Sequence, residues 1–151
     1  MSKREIVGSA FPTDTGVCDP RLRAALAAYD GTTAAAYVEA VNALANARVL
    51  VPVVAILGEV EVDDDGRAHD KSSEMATVLI TNPAGEKALL AFSSIETLAR
   101  WDPGARPVPV QAIEAARAAL AEDAVGMVLD IAGPTKLVIE GDLLAQFAAA
   151  G

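Results

Sequence analysis

Apolar residues along this chain recur with two different periods, and the change of period separates helices from strands. After an unpatterned lead-in over residues 1–18, Asp19-Pro20 supplies an N-cap with proline at the first helical position. Leu22, Leu26 and Tyr29 follow at helical spacing, and Asp30-Gly31 is a stop signal. Thr32 or Thr33 then caps a second helix with the stripe Val38, Val41, Leu44 and Ala45. The spacing predicts a helical hairpin over 19–47. Residues 48–58, RVLVPVVAILG, are nearly continuously apolar and β-branched, which predicts a strand buried on both faces. Pro52 has no N–H for a ladder and implies an edge or a bulge there. Residues 59–63 alternate like a strand with one wet face, and 63–73 read as a polar loop.

Residues 75–81 and 87–92 flank Asn82-Pro83-Ala84-Gly85-Glu86, the pattern of a β-hairpin. Ser93 and Glu96 fit a capping box at the start of a short helix that ends near Trp101, before Asp102-Pro103-Gly104. A brief extended segment at 108–110 leads to a helix over 111–121 with Ile113, Ala116, Ala119 and Leu120 facing inward. Two strands, 125–131 and 135–139, surround Ala132-Gly133-Pro134. Asp142 opens a last helix with Leu143, Leu144 and Phe147 at core spacing. Hairpins mixed with helices predict an α+β fold: a mixed, mostly antiparallel sheet flanked by helices, with an N-terminal helical hairpin. The expected organisation is a flexible N-terminus (1–18), the hairpin (19–47) and an α+β domain (48–151), with 19–151 as one globular unit.

Composition narrows the function classes. The chain has 151 residues, 52% of them apolar, but only one Trp, two Tyr and three Phe, so its core is rich in small side chains. A net charge of -9 opposes nucleic-acid binding, which needs clustered Lys and Arg, and opposes anionic membrane surfaces. Cys18 is the single cysteine, which excludes an internal disulfide and a thiolate metal cluster. No leader-like apolar run opens the chain, and the longest apolar run is half the length of a membrane span. A cytoplasmic protein without cofactor is the expectation.

Candidate chemistry is sparse. Residues 61–66, EVDDDG, resemble a calcium loop, but an EF-hand with Gly66 at its sixth position needs glutamate where Ser72 stands. His69 has no nucleophile-elbow pattern near it and no second His to share a metal, so neither a triad nor a metal site is expected. The Gly residues are dispersed as caps and turns, not as a phosphate cradle. Two polar groupings remain. Lys71, Ser73 and Glu74 precede a buried strand, where loops on rigid scaffolds carry sites. Arg100, Trp101 and Arg106 cluster at the end of the short helix; Trp and Arg are enriched at interface hot spots, whereas a lone Trp at a helix end more often packs in the core.

Several motifs in fixed order resemble the SseB amino-terminal-domain family, of the kind common in actinobacteria. They are the strand at 49–57, the group Lys71, Ser73, Glu74 and Met75, the turn with Pro83 and Gly85, and the block LLAFSSIETLARW at 89–101. Arg106-Pro107-Val108-Pro109-Val110 and the segment from Gly126 to Gly133-Pro134 complete the set. The resemblance spans 48–148 and implies a compact α+β domain with no agreed enzymatic activity to transfer; longer members carry a second carboxy-terminal domain. The expected function is a non-enzymatic binding or interaction module for an unidentified protein or small ligand, presenting Lys71, Ser73, Glu74, Arg100, Trp101 and Arg106. Two alternatives stand beside it. One is a small hydrolase or transferase using Glu74 with Lys71. The other is a structural homo-oligomer, a homodimer for instance, joined through the Ala-rich helices.

Overall fold

Alternation along the strands decides which side of the sheet each residue buries, and two cores result. A computed structural model of the chain describes residues 15–55, 61–62, 68–69 and 75–150. Helix α1 (Pro20–Ala28) starts as its sequence predicts: Asp19 Oδ1 accepts from the N–H groups of Arg21 at 2.9 Å and Leu22 at 3.1 Å. Helix α2 (Ala34–Ala45) follows without a side-chain cap from Thr33. Asp30 Oδ1 instead collects the N–H groups of Thr32 and Thr33 at 2.9 and 3.2 Å, which shapes the turn between the helices. The buried face of α2 is Ala40, Ala43 and Leu44; of the expected stripe Leu44 is in the core, Val41 and Ala45 pack half-buried against it, and Val38 is 54% exposed. Alanines on that face lie where α2 packs against α1 and α4.

Strand β1 (Arg48–Ala55) is followed by the two-residue strands β2 (Glu61–Val62) and β3 (Ala68–His69), which pair antiparallel, so His69 sits in a short strand and not in a plain loop. The expected single strand over 75–81 is two: β4 (Met75–Thr77) pairs with β1, and β5 (Leu79–Thr81) pairs with β6 (Lys87–Ala91). The hairpin turn is as predicted, with Asn82 Oδ1 accepting from the Glu86 N–H at 2.9 Å and Gly85 at φ 87°. Then come α3 (Ile95–Trp101), β7 (Arg106–Gln111), α4 (Ala112–Ala121), β8 (Gly126–Leu129), β9 (Leu137–Glu140) and α5 (Asp142–Ala149). Besides the β2-β3 pair, one sheet has the order β4-β1-β7 and another β5-β6-β8-β9. A single bridge joins them, Leu50 N–H to Phe92 C=O at 2.7 Å and Phe92 N–H to Leu50 C=O at 2.8 Å. The architecture is α+β with mostly antiparallel strands, and β6 with β8 is the one parallel pair among the described residues.

The larger core takes Val49, Val51, Leu89, Ala91, Met127, Leu129, and the inner faces of α1, α2, α4 and α5. The alternate residues Leu50, Leu90, Phe92 and Val128 bury with Leu98 of α3 on the other side. Burial of β1 on both faces follows the continuous apolar run. In α4 the buried residues are Ala112, Ala115, Ala116 and Ala119; Leu120, expected inward, is 39% exposed, and alanines form the contact face.

The prolines obey one rule. Leu50 spends both backbone groups on Phe92 and therefore faces away from β7, as Pro52 must two residues on. Pro52 lies opposite Pro107, and Leu50 lies opposite Pro109, so Pro107 and Pro109 face the outer edge of β7. Pro52 is thus neither on an edge strand nor at a bulge. It occupies a gap beside β1, since pairing to β4 begins only at Val53 with Thr77.

Candidate functional site

Adjacent parallel strands end side by side, and in open sheets the crevice beyond their carboxyl ends is where polar groups converge. Here β6 runs out through Ala91 and Phe92 into Ser93-Ser94, and β8 runs out through Leu129 into Asp130. The Asp130 N–H continues the ladder to the Ala91 carbonyl at 2.9 Å. Asp130 itself takes a left-handed backbone, φ 55°, a conformation that aspartate tolerates better than most residues. This bend turns its carboxylate onto Ser93. Oδ1 accepts the Ser93 N–H at 2.8 Å and Oδ2 accepts the Ser93 hydroxyl at 2.7 Å.

Ser93 is consequently committed on every polar atom, because its carbonyl accepts from Arg48 Nη1 at 3.1 Å. The helix cap therefore falls one residue later than Ser93 and Glu96 predict. Ser94 caps α3, receiving the Thr97 N–H at 3.2 Å while Thr97 Oγ1 receives the Ser94 N–H at 3.2 Å. The buried polar side chains among the described residues are Ser93, Ser94, Thr97 and Asp130, all in this one place. Buried polar groups need partners, and these four partner one another.

The end of the expected flexible lead-in is fastened here. Arg48 Nη2 donates to the Val17 carbonyl at 2.6 Å, and the Ile95 N–H donates to the Gly16 carbonyl at 2.8 Å. Gly16 has φ 82°, and a Cβ there would stand 3.0 Å from Ile95 Cβ, so glycine is required by both conformation and space. Cys18 is thereby buried beside Ser93.

These elements enclose a half-open cleft of about 210 Å³. Its floor is Cys18, Ser93, Thr97 and Asp130; Arg23 and Leu26 of α1, Glu96 and Arg100 of α3, and the turn residues Pro134 and Thr135 form the walls. Burial pushes the Asp130 carboxyl up from its ordinary value, against the pull of the Ser93 hydrogen bonds and the Thr97 side chain. Burial also pushes the Cys18 thiol up; the Ser93 hydrogen bond opposes this, the Asp130 charge adds to it, and Arg23, by its charge and a hydrogen bond, opposes it more weakly. Cys18 is thus held as a neutral thiol, a poor nucleophile. No group of three or more His, Cys, Asp or Glu suited to a metal occurs among the described residues.

Of the residues singled out from sequence, Arg100 lines the cleft. Trp101 is half-buried and packs on Phe92, ring centroids 5.6 Å apart, as the core alternative expects. Arg106 is exposed at the start of β7, opposite Val53. Lys71, Ser73 and Glu74 lie outside the described residues, as do residues 63–67 of the acidic loop. Asp130, Cys18 and Arg23 were not anticipated. The available signal for Asp130 was a carboxylate placed directly after the apolar run GMVL and before a Gly-Pro turn. No helix among the described residues is long and apolar enough to cross a membrane.

No curated protein and no solved structure matches the chain. The profile of the SseB protein N-terminal domain matches residues 22–146, taking in most of the helical hairpin as well as the sheet that carries the cleft. The chain belongs to the SseB N-terminal-domain family.

Proposed function

We propose that this protein is a non-enzymatic binding module and that the Asp130–Ser93 cleft is its binding site. The carrying observation is that the buried polar side chains among the described residues gather at one cleft and satisfy each other there. A fully paired floor gives a ligand a fixed set of polar contacts without a reactive group. The Ser93 hydroxyl donates to Asp130 and has no imidazole to activate it in the cleft, and the Cys18 thiol is neutral. Arg100 at the rim joins this site to the surface expected from sequence.

Amide-resolved titration of the full chain with mixtures of small metabolites tests the reading. Saturable shifts at Ser93, Thr97 and Asp130, with every compound recovered unchanged, are the expected result. One observation favours a second reading: the raised pKa of Asp130 in a cleft is the environment of a general acid. Consumption of a compound by the native chain, lost in a folded Asp130→Asn variant, would replace the binding reading with a carboxylate-dependent hydrolase or transferase.

A further inference from the structure

The rim of the cleft carries charge that the rest of the molecule does not neutralise. The chain has 21 acidic residues against 12 Lys and Arg, so guanidinium groups have carboxylates in excess to choose from. Arg23 of α1 and Arg100 of α3 are both exposed on the cleft walls, and neither forms an ion pair among the described residues, although Arg23 contacts the uncharged Cys18 thiol. Even Glu96, one helical turn before Arg100 and lining the same cleft, is not engaged with it. Arg117, by contrast, pairs with Glu114 at 2.8 Å on the adjoining turn of α4.

Below these two cations lies a carboxylate whose charge is already answered by Ser93. With Ser93 and the Thr97 side chain engaged, the roughly four lone-pair sites of the Asp130 carboxylate still leave acceptor capacity. The floor therefore accepts a donor, while the rim attracts an oxyanion that fork-shaped guanidinium groups match well. Leu26, Ala27 and Pro134 provide apolar wall for a short carbon skeleton. The cleft volume, about 210 Å³, is below the roughly 300–1,000 Å³ of sites for drug-sized ligands, which suits a small metabolite and not a nucleotide.

We propose that the cleft holds a small molecule bearing an oxyanion, carboxylate or phosphate, between Arg23 and Arg100, with a hydroxyl or amine of that molecule donating to the Asp130–Ser93 floor. This assignment rests on the binding reading above and names its ligand class.

Calorimetric and amide-shift titration of the full chain with glycerate, glycerol 3-phosphate and glycerol tests it. The first two share a vicinal diol and differ in the oxyanion, while glycerol has no oxyanion. Binding of either acid, with glycerol inert, is expected, and the tighter acid identifies carboxylate or phosphate. Arg23→Gln combined with Arg100→Gln should weaken that acid at least about tenfold, the scale of one lost charge-assisted hydrogen bond. Arg21→Gln, an exposed arginine of α1 outside the cleft, should leave it unchanged. Both arginines of the double variant are exposed, so an unchanged amide spectrum away from the cleft establishes its fold. Glycerol binding as tightly as the acids, or full affinity in the double variant, overturns the proposal. If neither acid binds but an uncharged or cationic compound shifts the Ser93 and Asp130 amides, the oxyanion assignment falls and the binding reading stands. If no compound moves those amides, both fall.

Discussion

Two aspartates bracket strand β8, and both adopt the left-handed backbone: Asp123 with φ 62° before it and Asp130 with φ 55° after it. Asp123 is exposed and finishes helix α4. Its N–H donates to the Leu120 carbonyl at 3.0 Å and the Ala124 N–H donates to the Ala119 carbonyl at 2.9 Å, the paired bonds of a Schellman stop. Glycine would serve there. Asp130 is buried, and its side chain carries two short hydrogen bonds that no backbone group replaces. The same conformation is thus a chain-reversal device at one end of the strand and the anchor of a polar cleft at the other. Backbone geometry alone does not mark a site; what the side chain is made to satisfy does.

The largest test of that contrast is Asp130→Ala. It leaves the Ser93 N–H and hydroxyl without acceptors in a buried place and puts alanine in a left-handed conformation, so unfolding free energy should fall by about 3 kcal/mol in urea denaturation. An equal loss on Asp123→Ala would erase the distinction. Ser93→Ala removes the donor to Oδ2 and the side-chain contact with Cys18 but keeps the Ser93 N–H bond, and should cost about 1–2 kcal/mol by the same measurement.

Acidity sharpens the comparison further. The unfolded chain releases the Asp130 proton at the ordinary value of 3.8, whereas burial makes the folded chain hold it to higher pH. Folded protein therefore binds more protons in that window, and this group's stabilising contribution, present below the unfolded pKa, is lost as pH rises through the folded one. Native stability minus that of Asp130→Asn should fall across this window, by at most about 1.4 kcal/mol per pH unit for one proton. A difference that is flat with pH would show that Asp130 titrates alike folded and unfolded. The smallest effect is a gain: Asp123→Gly should stabilise the chain by about 0.5–1 kcal/mol, because glycine takes the left-handed conformation without strain.

Much of the fold was legible because its signals are local. The Asp19-Pro20 start, the hairpin turn from Asn82 to Glu86 and the order of elements each depend on residues within a few positions of one another. The site was not legible, for the opposite reason. Ser93 and Ser94 are both three residues from a capping partner, Glu96 and Thr97, so spacing alone does not choose between them. What decides is Asp130, 37 residues away, which takes the Ser93 side chain and leaves Ser94 to cap. That meeting requires β6 and β8 to be parallel neighbours, and short apolar runs carry no label for their partner or direction. Alanine-rich helices defeat the stripe pattern in a similar way. Val38 and Leu120 look like core residues yet stay outside, while alanines beside them take the buried faces.

The prolines of β7 have a consequence for self-association. An outer strand offering free donors invites a neighbouring molecule to prolong the sheet, but at positions 107 and 109 the outward-facing nitrogens have no hydrogen to give. Sheet growth is disfavoured on that flank. Pairing of another copy onto β7 would forgo those two hydrogen bonds, which disfavours that border for association.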